Sequence, residues 1–108
     1  MIDSTRFKNV FTQNIEMVRR LLREFRAKYA TKLLEMKKKL IEKYPDKRDR
    51  IENLIDLIMV KLERLRRYDL ADYLFTLYHA VKEFPELEEI IPPSEEIESL
   101  LDKENQAE

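Results

Sequence analysis

The chain has 108 residues, 40% of them charged, with no glycine, cysteine or tryptophan and a formal net charge of −1. Those absences exclude a disulfide framework, a thiol nucleophile, a thiolate metal site and a glycine-rich phosphate loop, and they leave tight primed hairpin turns poorly supported. No run approaches the roughly 20 apolar residues that a membrane span requires, so the expectation is one soluble, cytoplasmic, helical protein with no cofactor and no membrane partner, and the dense charge of both signs leans toward a thermophilic source.

From the N-terminus, apolar residues recur in steps of four and three: Phe7, Phe11, Ile15, Val18, Leu22, Phe25, Tyr29, Leu33, Met36 and Leu40. This spacing predicts a long first helix over about residues 4 to 44, and Leu21, Leu34 and Ile41 widen its stripe from a bare zipper to a bundle face. Ser4 or Thr5 can cap the start; Thr12 offers a second cap, with a break into two helices as the alternative there. Pro45 forces Tyr44 out of helical geometry, and Asp46 is placed to cap a second helix over 47 to about 67, carrying Ile51, Leu54, Ile55, Ile58, Leu62 and Leu65. The two should fold back as an antiparallel hairpin. Asp69 followed by Asp72 reads as the start of a third helix with Leu70, Tyr73, Leu74, Leu77, Tyr78, Val81 and Phe84, stopped by Pro85; a continuous helix through Tyr68 is the competing reading. After Pro92 and Pro93, Ser94 is placed to cap a short fourth helix with Ile97, Leu100 and Leu101, and the acidic end is expected to fray. The fold class is therefore all-α: a small helical bundle over 1–91 built on a long antiparallel hairpin, with a third amphipathic helix across it and an acidic helix or tail over 92–108.

Charge is segregated along the chain. Residues 1–67 hold 19 Lys+Arg against 10 Asp+Glu, a net +9, while residues 68–108 hold 2 against 12, a net −10. Folding the hairpin at Pro45 sets Arg26 at the level of Arg64 and Arg23 at that of Arg67. Arg19, Arg23 and Arg26 then form one stripe and Lys61, Arg64 and Arg67 another, with Tyr68 and His79 nearby. The planar arginine fork suits phosphate, so the pattern points to a non-enzymatic nucleic-acid-binding accessory domain that touches the DNA or RNA backbone with little sequence preference.

The competing readings are a solvated face and an acidic partner, whether another protein or the chain's own tail. Glu16 with Arg20, Glu24 with Lys28 and Glu63 with Arg67 have the i,i+4 order of helix-stabilising pairs, and the Lys37–Lys39 run reads as solubility. His79 has only Asp72 and Glu83 near its helical face, which supports neither a metal site nor acid–base catalysis. The aromatic set Tyr68, Tyr73, Phe75, Tyr78 and Phe84 reads mostly as core, with Phe75 and one tyrosine exposed. A first helix about 60 Å long outreaches the two that follow it, so its apolar start at Phe7, Phe11 and Ile15 suggests a homodimer. A protein-interaction module or subunit of a larger assembly is the alternative function.

The segment IENLIDLIMVKLERLRRYDLADYLFTLYHAVKEF bears a slight resemblance to the helical domain of archaeal GINS replication proteins, in which an arginine-bearing helix is followed by further amphipathic ones. It spans about a third of the chain and rests on one helical pattern. The design as a whole is similar, in architecture, to the helical accessory domains of archaeal plasmid primases. Both resemblances imply a replication-associated role.

Overall fold

The computed structural model describes the backbone of residues 4–66 and 69–107, and the side chains of residues 15–66 and 69–101. Among the described residues it is all-α, with four α-helices: α1 (Ser4–Lys43), α2 (Arg48–Glu63), α3 (Leu70–Glu83) and α4 (Ser94–Ala107). Two 3-10 helices, Pro45–Lys47 and Pro85–Ile90, lie between them. α1 runs its 40 residues through Thr12 without a break. The chain divides into two compact units, Arg26–Ile91 and a second made of Met1–Phe25 with Pro92–Glu108.

The core of the larger unit collects the stripes read from the sequence. Tyr29, Leu33, Met36 and Leu40 come from α1, Ile51, Leu54, Ile55, Ile58 and Leu62 from α2, and Leu70, Tyr73, Leu77 and Ala80 from α3. Each fully buried large aliphatic residue contributes about 1.5–3 kcal/mol of transfer free energy. α1 stops where Pro45 imposes its own φ, and the Tyr44 carbonyl accepts from the Lys47 amide at 3.0 Å. That 3-10 turn runs straight into α2. Asp46 therefore does not cap α2: Lys47 holds the cap position with no side-chain hydrogen bond, because Asp46 already lies inside the turn. At the far end of the hairpin, Arg26 Nη1 donates to the Leu65 carbonyl at 2.6 Å, within one residue of the register expected from the sequence.

α2 ends at Glu63, four residues short of the expected limit. The amides of Arg64 and Leu65 bond back to Val60 and Leu62, and the chain then turns. Asp69 closes that turn from both sides: its Oδ2 accepts from the Arg66 amide at 3.1 Å, and its own amide donates to the Arg66 carbonyl at 3.1 Å. A short acidic side chain that offers the backbone such a local partner competes with helix continuation. Asp69 thus holds the N-cap position of α3, as expected, but its carboxylate faces back onto the turn instead of capping the helix. α3 returns antiparallel to α2, tied by Lys61 to Asp72 at 2.8 Å and by a two-pronged Arg50–Glu83 pair with both contacts at 2.7 Å.

Phe84 leaves α3 in extended geometry, and Pro85 starts a six-residue 3-10 helix that buries Leu87 and Ile90, an element not expected from the sequence. Here the two proline turns meet. The Tyr44 and Phe84 rings lie 5.7 Å apart, the Tyr44 hydroxyl donates to Glu86 Oε1 at 3.3 Å, and Lys43 approaches the same oxygen at 3.8 Å.

In the smaller unit Val18, Leu22, Phe25, Pro92 and Leu100 are buried. The Pro93 carbonyl accepts from the amides of Glu96 and Ile97. It supplies the first bonds of α4, so Ser94 is the first helical residue and not the cap. α4 spans 14 residues, longer than the short helix expected.

Candidate nucleic-acid interface

In the smaller unit α1 turns Val18, Leu22 and Phe25 inward, and the same periodicity turns Arg19, Arg20 and Arg23 out to solvent. With Glu16 and Met17 these three arginines line an open concavity. No salt bridge joins any of them to a described residue, and the expected Glu16–Arg20 pair is not formed. Three guanidinium groups within five residues, exposed and not neutralised by a described carboxylate, make a compact anion-attracting face.

The cations of the larger unit are differently placed. Arg26 is half-buried and spends one N–H on the Leu65 carbonyl, where a cation also meets the negative end of α2. Lys61 is held by Asp72. Arg64 caps α2 with its backbone while its side chain stays exposed. His79 is exposed and meets Phe75 edge-on, the ring centroids 4.3 Å apart. Arg67 and Tyr68 lie outside the described residues, as do the side chains of Phe7 and Phe11. Of the residues singled out from the sequence, Arg19 and Arg23 thus belong to the smaller unit, and Arg26, Lys61, Arg64 and His79 to the larger.

Two features escaped the sequence reading. Arg20 joins the exposed cluster; its i−4 glutamate had pointed to a local ion pair instead. The second is the exposure of Leu34 and Leu57, at 58% and 49%; Phe75, expected to be exposed, is so at 63%. The Arg26–Leu65 and Lys61–Asp72 contacts place these three at about one level across α1, α2 and α3. Leu57 was detectable in principle, because it falls outside the three-and-four spacing of the buried stripe of α2.

Among the described residues no helix is long and apolar enough to cross a membrane. Compared with family models, curated proteins and solved structures, the chain gives no match.

Proposed function

We propose that the protein is a non-enzymatic, cytoplasmic nucleic-acid-binding module that holds the phosphate backbone through α1. The observation that carries this reading is the exposed trio Arg19, Arg20 and Arg23, with no carboxylate partner among the described residues. A cation already paired must give up that partner before it can take a phosphate; among the described residues these three have none to give up. In the larger unit, taken by itself, Arg64 is an exposed cation at the end of α2. Arg26 and Lys61 of that unit are already engaged by Leu65 and Asp72. Phosphate contacts position a protein without reading sequence, so affinity should be steeply salt-dependent and nearly sequence-independent.

The test is a titration of labelled single- and double-stranded oligonucleotides with the intact chain and with an Arg19→Ala/Arg20→Ala/Arg23→Ala variant. The variant should bind at least about tenfold more weakly, and its log K against log salt slope should be shallower by about 2 to 3, one contact per arginine. Equal affinity and equal slope for the two proteins would refute the reading.

A further inference from the structure

The solvent face of α3 is organised as carefully as its buried face. The buried residues Leu70, Tyr73, Leu77 and Ala80 follow the three-and-four spacing of a helix that packs on one side. A second stripe repeats the spacing outward: Asp72, Phe75, His79 and Lys82, in steps of three, four and three, all exposed. Phe75 is 63% exposed with His79 against its edge, and Tyr78 beside them is 48% exposed. A seam of this spacing is the form in which one helix presents itself to another.

We infer that the outward stripe of α3 is a self-association surface, on which the α3 of a second copy lies antiparallel. The charge order along the helix is what selects a second copy. The acid, Asp72, stands at one end of the stripe and the base, Lys82, at the other, with the aromatics between. A two-fold axis at the level of Leu77 sets each Asp72 opposite the partner's Lys82 and each Phe75 opposite the partner's His79. Such a surface is complementary to itself, as an isologous interface requires. Asp72 keeps one carboxylate oxygen for the incoming ammonium, since Lys61 sits on Oδ2. A polyanion fits this face less well. The cations bordering it on α2, Arg50 and Lys61, are matched by Glu83 and Asp72, so the aromatic stripe lies in a nearly neutral surround. α3 is 14 residues, about 21 Å, so the contact is small and the dimer weak, with a dissociation constant on the order of 10 µM.

Sedimentation equilibrium of the full chain, from about 1 to 200 µM, tests the inference across that constant. The intact chain should show a monomer–dimer equilibrium. Phe75→Ser/Tyr78→Ser should weaken it at least about tenfold with an unchanged circular dichroism spectrum, because both positions are exposed in the monomer. Lys82→Glu and Asp72→Lys should each weaken it by a similar factor, and mixing the two should restore association, since every facing pair is then opposite in sign. A chain that stays monomeric throughout the range overturns the inference, as does a dimer indifferent to all these changes. Loss of oligonucleotide affinity in the Phe75→Ser/Tyr78→Ser variant without loss of a dimer would assign the face to nucleic acid instead.

Discussion

Tyr73 is wholly buried in α3, and burial pushes its phenol well above the ordinary value near 10, because the phenolate would have to form in an apolar interior. The folded-state pKa lies above the unfolded one, so the folded state holds its proton more tightly. The associated stability is complete below the unfolded value and is lost as pH rises from there toward the folded value. Melting temperatures followed by circular dichroism should therefore fall between about pH 9.5 and 11.5, and fall less steeply in a Tyr73→Phe variant. An equal slope in the two proteins would mean that another group drives the alkaline transition. Glu83 shows the opposite displacement: its hydrogen bonds from Arg50 hold it below the usual carboxylate range, although both groups face solvent.

At the scale of elements, the Asp69 carboxylate helps to close the joint between α2 and α3. Asp69→Ala removes the acceptor of the Arg66 amide and should destabilise the fold by about 1 kcal/mol, read as a lower midpoint in urea. The pattern that made these helices legible was apolar spacing, and it located α1, α2 and α3 because the same stripes became the core. Their ends were less legible where hydrogen bonds between neighbouring backbone groups decided them. Pro45 and Pro85 marked stops unmistakably, since proline acts locally. Asp46, Asp69 and Ser94 were recognised as capping residue types, but only Asp69 takes a cap position. A 3-10 turn, a backward-facing carboxylate and a proline carbonyl took over the capping work. The arginines were legible as a charge excess. Which of them are engaged was not, because Leu65 and Asp72 reach Arg26 and Lys61 only once the hairpins have closed.

For the whole molecule, the division into two units gives the acidic C-terminal segment a structural part. Pro92 and Leu100 are buried within the unit that also holds Val18 and Leu22. A chain ending at Ile91 should lose more helical signal than the 14 residues of α4 account for and should bind a hydrophobic dye, because apolar residues of that unit become exposed. A loss limited to α4 itself, with no dye binding, would leave α1 independent of the tail. The two proposals also meet at this scale. A dimer through α3 presents two arginine clusters, and where one strand can reach both, the second contact becomes intramolecular and apparent affinity rises without any new side chain.

The meeting of Tyr44 and Phe84 has a consequence for chain entropy. Each aromatic immediately precedes the proline that ends its helix, and the two stand 40 positions apart in the chain. Docking one ring on the other closes a single large loop that contains all of α2 and α3, and it brings both chain reversals to rest together. The loop entropy is thereby lost once for two turns, and neither turn can open fully while the other keeps its grip on the shared rings.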